Sequence, residues 1–179
     1  MLTNSSCHSH SSAMRHIISI LLQNEAGALA RVAALFSSRG YNIESLSVAP
    51  TEHVELSRLT LVSRGSDDVI AQIIKQLGKL VDVVKIADMT LDDHIERELL
   101  LLKVRVDKGK AQRLEEIVEK NEARVLDDSP ETYTVELTGA NERIDDFIAR
   151  LGACSEILAV VRSGAMAIAR GQNVLGANF

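Results

Sequence analysis

The sequence is poor in aromatic side chains: its 179 residues include no tryptophan, two tyrosines and three phenylalanines. Proteins that read single-stranded nucleic acid stack bases on aromatic side chains, and binding to phosphate backbones needs a basic surface. This chain instead has 20 lysines and arginines against 25 aspartates and glutamates, a formal net charge of −5. The composition therefore disfavours nucleic-acid binding.

Long apolar runs and cysteines are also scarce. No run approaches the roughly 20 apolar residues of a membrane-spanning helix, so we expect no membrane span. Two cysteines, Cys7 and Cys154, are too few for a disulfide framework, which fits a reducing cytoplasm. Hydrophobic residues still make up 46% of the chain. We therefore expect a cytoplasmic globular protein of one large domain or two small ones.

The first thirteen residues, MLTNSSCHSHSSA, are rich in serine and histidine and have no apolar stretch. We predict that residues 1–13 form a disordered extension. Cys7, His8 and His10 carry thiolate and imidazole groups that soft metals prefer, but the segment offers no fourth ligand. No metal site is predicted for the chain.

From Met14 the hydrophobic pattern predicts a β-α-β-β-α-β order. Leu29, Val32, Ala33 and Phe36 have the spacing of one helix face, and Ser66 is a plausible N-cap for a second helix. The predicted elements are strands at 17–22, 42–49, 56–63 and 81–89, with one helix after residue 27 and another at 66–79.

The same order is predicted a second time. Asn141 is a plausible cap for the last helix, whose apolar stripe is Ile144, Phe147, Ile148 and Leu151. The predicted strands are 99–106, 125–126, 132–138 and 156–161, with a helix near Leu114, Ile117 and Val118. The economical interpretation is an α+β protein with two tandem ferredoxin-like units. The predicted division is 14–90 and 97–171, with a polar linker at 91–96 and a tail at 172–179.

The stretch QNEAGALARVAALFSSR, residues 23–39, is the strongest candidate for a binding site. A buried strand here turns directly into a helix at Gly27, which lacks a side chain and lets a ligand approach the main chain. The first amides of a helix have no partner within it and attract a small anion such as a carboxylate. An ordinary tight turn between strand and helix remains the alternative at this point.

Residues for catalysis are not brought together by the pattern. An acylphosphatase-like loop needs a cation, but residues 23–28 contain neither Arg nor Lys. A metal sensor needs converging ligands, whereas His16, His53 and His94 are scattered. No serine lies in a recognisable nucleophile elbow. A binding or regulatory protein is therefore favoured over an enzyme.

The run RHIISILLQNEAGALARVAALFSSRGYNIESLSVAPTE, followed by LSRLTLV and KQLGKLVDVVKI, closely resembles the small, regulatory subunits of acetolactate synthase. Their amino-terminal module is an ACT domain. The resemblance runs from Met14 to about Arg170 and includes the later HIEREL. It implies a chain without catalysis of its own that binds the catalytic large subunit, raises its activity and confers feedback inhibition by valine in branched-chain amino acid biosynthesis.

The resemblance further implies that thiamine diphosphate, magnesium and FAD belong to the catalytic subunit and that this chain holds no cofactor. It also implies a homodimer through the ACT domains. A free-standing ACT-domain sensor that regulates another enzyme is the alternative function.

In this family the effector lies between two ACT domains of the dimer. The residues carried over by the resemblance are Asn24, Gly27, Ala28 and Leu29 from one chain, with Asn42 and Ile43 from the other. The amides of Ala28 and Leu29 are expected to face the effector carboxylate, while Leu29 and Ile43 flank its aliphatic side chain. Asn24 and Asn42 supply polar groups. For Asn42 an ordinary loop position that tolerates left-handed backbone angles remains the alternative.

Overall fold

The structure is a computed structural model that describes residues 14–106, 109–172 and 175. The predicted extension 1–13, with Cys7, His8 and His10, lies outside the described residues, as does most of the predicted tail.

The described elements follow one another in the predicted alternation of strands and helices. In chain order they are β1 (Met14–Gln23), α1 (Ala28–Ser38), β2 (Ile43–Pro50), β3 (Leu56–Gly65), α2 (Asp67–Leu77), β4 (Val83–Asp88), β5 (His94–Arg105), α3 (Ala111–Lys120), β6 (Arg124–Ser129), β7 (Thr132–Gly139), α4 (Asn141–Gly152), β8 (Ile157–Arg162) and β9 (Met166–Ala169).

The first half forms a four-stranded antiparallel sheet in the order β2-β3-β1-β4. Helices α1 and α2 pack on one face, where Ile18 and Ile20 of β1 meet Phe36 and Ile73 in a fully buried core. This arrangement follows from the amphipathic spacing of both helices, whose apolar stripes need a sheet face to cover them.

The second half repeats this arrangement, with the strand order β6-β7-β5-β8 and helices α3 and α4 on one face. Phe147 and Leu151 of α4 are buried against Leu100 and Leu102 of β5. The predicted α+β fold of two tandem ferredoxin-like units is confirmed.

Strand β9 was not predicted, and it corrects the predicted linker at 91–96. Residues His94 to Arg97 at the start of β5 pair with Ala169 to Met166 of β9, so residues 94–96 are part of a strand. The polar side chains of HIER do not predict a strand. The strand forms all the same, because pairing at a sheet edge needs only backbone groups.

Two predicted details of the helix ends differ from the structure. Asn141 is the first residue of α4 rather than its cap, and Ala140 occupies the N-cap position. Ser66 does sit at the N-cap of α2, but its side chain makes no capping hydrogen bond. Cys154 is buried in the turn after α4, where its thiol donates to the Leu151 carbonyl.

The second face of the first sheet is covered by residues 163–171, which we call the C-terminal strap. Ala165 and Ala167 of the strap are buried against Ile17, Val62 and Met89. The Ala165 amide donates to Ser45 Oγ at 2.9 Å, fixing the strap over β2. Among the described residues, no helix has the length and apolar character needed to cross a membrane.

Candidate functional site

The turn between β1 and α1 has the backbone that the binding-site hypothesis requires. Gly27 is the N-cap of α1 with φ 89° and ψ −13°, a left-handed conformation that favours glycine. Its carbonyl accepts the Arg31 amide at 3.0 Å, which begins the helix. By helix geometry the amides of Leu29 and Ala30 precede this bond and have no partner within α1. They point out of the helix start.

Ala28 and Leu29 play different parts in this turn. Ala28 is buried, and its amide donates to the Glu25 carbonyl at 3.2 Å. The expectation that the Ala28 amide faces an effector is therefore modified, since that donor already closes the turn. Leu29 is 37% exposed, so its side chain is open to contact from outside the chain.

Asn24 connects the turn to the loop that precedes β3. Its backbone amide donates to the Glu55 carbonyl at 2.7 Å, and its side-chain Nδ2 donates to the Val54 carbonyl at 2.9 Å. These bonds orient the side chain and leave Oδ1 as an acceptor at the exposed edge of the turn.

Arg31 brings a positive charge to this turn. A Cβ on Gly27 would lie 2.9 Å from Arg31 Nη1, so the guanidinium covers the glycine. Arg31 also donates from Nε and Nη2 to the carboxylate of Asp82, at 2.5 and 2.6 Å. Hydrogen bonding to Arg31 lowers the pKa of Asp82 from its ordinary value of 3.8.

Sequence reasoning did not identify Asp82. The residue lies 51 positions from Arg31, just before β4, and its side chain is almost completely buried. Its backbone carbonyl accepts the Gln23 amide at 2.8 Å, which places it beside the end of β1. The only signal in the sequence is an acidic residue between valines in LVDVV.

Asn42 and Ile43 lie at the opposite end of the sheet from Gly27 within one chain. Ile43 is opposite Ser63 on β3, and the Ser63 hydroxyl donates to the Asn42 carbonyl at 2.8 Å. Ser63 in turn is opposite His16, seven residues before Gln23 on β1. At about 3.3 Å per residue that separation is roughly 23 Å. One chain therefore carries the Gly27 part of the predicted site at one end of its sheet and the Asn42 part at the other end.

Metal-ligating side chains are not gathered anywhere in the described part of the chain, where no group of three His, Cys, Asp or Glu residues could hold a metal ion. His16, His53 and His94 lie in β1, the loop before β3 and β5 respectively.

Comparison with known proteins gives one consistent result. A family model described as "AHAS small subunit-like ACT domain" matches residues 18–85, and one described as "Small subunit of acetolactate synthase" matches residues 97–171. Together they span both halves of the fold.

Individual relatives match over nearly their whole length. The acetolactate synthase small subunit of Haemophilus influenzae is 44% identical over 90% of this chain and 100% of its own. The small subunit of acetolactate synthase isozyme 3 from Escherichia coli is 42% identical over 90% of this chain and 99% of its own. The crystal structure of the acetolactate synthase small subunit from Thermotoga maritima superposes with a TM-score of 0.80 at 36% identity, covering 89% of this chain and 99% of that one. The chain therefore belongs to the family of small, regulatory subunits of acetolactate synthase.

Proposed function

We propose that this chain activates the catalytic large subunit of acetolactate synthase and makes it sensitive to feedback inhibition by valine. A small subunit has a large subunit as its counterpart, and family membership carries that part of the proposal. Thiamine diphosphate, magnesium and FAD belong to that partner. The Gly27 turn carries the proposal that an amino acid is the effector, because it combines a left-handed glycine, outward helix amides and a nearby guanidinium.

Each part of valine has a matching group at the turn. Its carboxylate is held by the Leu29 and Ala30 amides and by Arg31 Nη1, which lies beside Gly27 while Nε and Nη2 pair with Asp82. Its ammonium group is a donor, and Asn24 Oδ1 is a nearby acceptor. Its branched side chain packs on the exposed Leu29 and on Ile43 of the partner subunit.

The partner copy is required because the site is incomplete in one chain. Strand β2 is the edge of the first sheet, and an unpaired edge is a template for another strand. Pro50, at the far end of β2, is opposite Ser57, close to where Gln23 ends β1. If two β2 strands pair antiparallel about a twofold axis, Asn42 of the partner subunit comes to the Pro50 end. That end also holds the Gly27 turn.

The decisive experiment mixes this chain with the catalytic subunit from the same source and measures acetolactate production with and without valine. We expect the mixture to exceed the catalytic subunit alone and to be inhibited by valine, while the catalytic subunit alone does not respond to valine. Leu29→Ala is a matched variant that should weaken inhibition yet retain activation. Equal activity with and without this chain would contradict the proposal of activation, and activation without any valine response would contradict the effector assignment.

A further inference from the structure

We propose that the cavity between the first sheet and the C-terminal strap is a second small-molecule site, which binds an aliphatic amino acid as a zwitterion. The cavity holds about 580 Å³, within the range of small-molecule sites. Its floor is formed by β1, β3 and β4 on the face opposite α1 and α2, and its roof by the strap. The residues of the proposed valine site do not line this cavity.

A buried hydroxyl on the floor of the cavity points to a ligand. Ser19 interrupts the apolar run of β1 and is 1% exposed, yet its Oγ has no hydrogen-bond partner among the described residues. It lines the cavity and is flanked by Thr60 on β3 and Ala87 on β4. A buried hydroxyl without a partner costs free energy, so such a group calls for an explanation. A ligand oxygen in the cavity would supply the missing partner.

Arg58 presents a positive charge to the cavity close to Ser19. Leu21 is the next residue after Ser19 on the same face of β1, and Arg58 lies opposite it on β3. Arg58 is half-buried and donates from Nη2 to the Leu175 carbonyl at 2.6 Å. That carbonyl is neutral, and a guanidinium has five N–H donors. Arg58 can therefore bind a carboxylate of the ligand.

Asp92 presents a negative charge to the same cavity from the exposed turn before β5. Asp93 and Arg170 also line the cavity, but they pair with each other at 3.1 Å. Lys85 lines it too, but it already interacts with another group and is not assigned to the ligand. Among the described residues, neither Arg58 nor Asp92 has an ion pair. The cavity thus offers one cation and one carboxylate to a ligand.

A ligand with one carboxylate and one ammonium group satisfies both charges, whereas a singly charged ligand leaves one of them without a partner. The carboxylate would lie at Arg58 and the Ser19 hydroxyl, and the ammonium group at Asp92.

Apolar side chains determine the rest of the ligand. Met89 and Ala167 are buried, and Ala87 and Ala169 are half-buried, so short aliphatic surfaces border the cavity beside Ser19. A hydrocarbon side chain packs on these surfaces. A carboxylate, an ammonium group and a short hydrocarbon body together describe an aliphatic amino acid.

Equilibrium dialysis of the full chain against labelled L-leucine counts the molecules bound per chain. At a concentration that saturates the unaltered chain, we expect Arg58→Gln to bind one leucine fewer per chain, because the carboxylate loses its cation. Ser19→Ala should weaken the binding of this leucine about tenfold, the effect of one hydrogen bond. It should not lower the melting temperature, because the hydroxyl has no partner among the described residues to lose.

Isocaproate and isoamylamine are matched competitors, since each keeps the hydrocarbon chain of leucine but only one of its two charges. On the unaltered chain, each should displace this leucine about tenfold less effectively than unlabelled leucine does. Displacement by isocaproate as effective as displacement by leucine would overturn the assignment of a zwitterion without any variant.

Arg64→Gln is the control, because Arg64 lies on the same sheet face but pairs with Glu44 outside this cavity, and it should bind leucine like the unaltered chain. Leu29→Ala, which alters the proposed valine site, should also retain the leucine that depends on Arg58. Equal leucine binding by Arg58→Gln and the unaltered chain would overturn the site. Unchanged affinity in Ser19→Ala would do the same.

Discussion

The two halves of the chain share one topology but differ at equivalent positions near the first strand. At the end of β1, the Gln23 amide donates to the Asp82 carbonyl, and at the end of β5 the Arg105 amide donates to the Glu156 carbonyl. The carboxylates behave differently. Asp82 is 4% exposed and pairs with Arg31 of α1, whereas Glu156 is 62% exposed and pairs with Arg105 at the end of β5. Among the described residues, Asp82 uses this position to hold a helix start, whereas Glu156 pairs with a strand residue.

The sheet faces opposite the helices also differ between the two halves. Strand β1 is buried on both faces because the strap covers one of them, which explains why its sequence IISILL is apolar at every position except Ser19. From Glu98 onward, strand β5 instead alternates between buried residues and half-buried or exposed ones, as expected for a sheet with one uncovered face. The same fold thus has a sheet covered on both faces in one half and a sheet with one uncovered face in the other.

The largest difference in stability between the halves should come from a charge placed on the helix-free face of each sheet. Val62 is 2% exposed under the strap, and Val161 is 57% exposed on the second sheet. Val62→Asp should cost more than about 4 kcal/mol because it buries an unpaired carboxylate, whereas Val161→Asp should cost about 1 kcal/mol or less. Urea denaturation measures both. Similar losses for the two variants would show that the strap does not protect the first sheet in solution.

Core truncation should affect both halves alike. Ile73 of α2 and Ile144 of α4 are both fully buried in the cores of the two halves. Each substitution to alanine should cost roughly 2–5 kcal/mol. We expect Ile73→Ala to leave valine selectivity unchanged in the folded fraction, because α2 only supports the sheet. A lost valine response at unchanged stability would show that α2 transmits the signal.

The glycines before the first helix of each half should respond differently to alanine. Gly27 has φ 89°, and Gly109 is not among the described residues with positive φ. Gly27→Ala should cost about 1–2 kcal/mol of backbone strain. Gly109→Ala should change stability by less than about 1 kcal/mol and in the stabilising direction. Thermal denaturation compares them, and equal costs would mean that the left-handed turn is not maintained in solution.

The smallest effect should be the pH dependence of the Arg31–Asp82 pair, because Arg31 is 46% exposed and solvent screens the pair. Folding lowers the pKa of Asp82 below 3.8, so the stabilisation is complete well above that value and is lost as the pH falls through the lowered pKa. Asp82→Asn should therefore be less stable than the unaltered chain at neutral pH, and the difference should shrink below pH 3.8.

Glu156→Gln is the matched control in the second half, and we expect little change at either pH because Glu156 is exposed. Denaturant titrations at neutral and acid pH compare the two variants. A stability difference for Asp82→Asn that stays constant with pH would contradict the assigned pair.

Most of the fold was predictable because β1, α1 and α2 carry strong local patterns. The parts that were missed depend on distant pairings. Strand β9 has only four residues and is defined by its pairing with the start of β5. The candidate site was partly predictable, since Gly27 marks the turn, but the role of Asp82 depends on a partner 51 residues away.

The separation of Gly27 from Asn42 likewise follows from strand register, which local patterns do not reveal.

The central claim is that one effector site is built from two chains, and complementation between two variants tests it directly. Gly27→Asp places a carboxylate where we propose that the valine carboxylate binds. Two such charges about 4 Å apart repel by about 4 kcal/mol at an effective dielectric of 20, on the order of a thousandfold in affinity. Asn42→Ala removes the polar group of the partner subunit and should weaken binding about tenfold.

We predict that neither variant alone binds valine at the affinity of the unaltered chain. Mixed dimers of the two variants should recover one intact site each, because one of the two sites at the interface joins an unaltered turn to an unaltered Asn42. Calorimetry on the coexpressed, separately tagged mixed dimer measures this. Recovery of full-affinity binding at half of the sites is the predicted result; mixed dimers with no recovered site, or full-affinity binding by Asn42→Ala alone, would contradict a site shared between two chains.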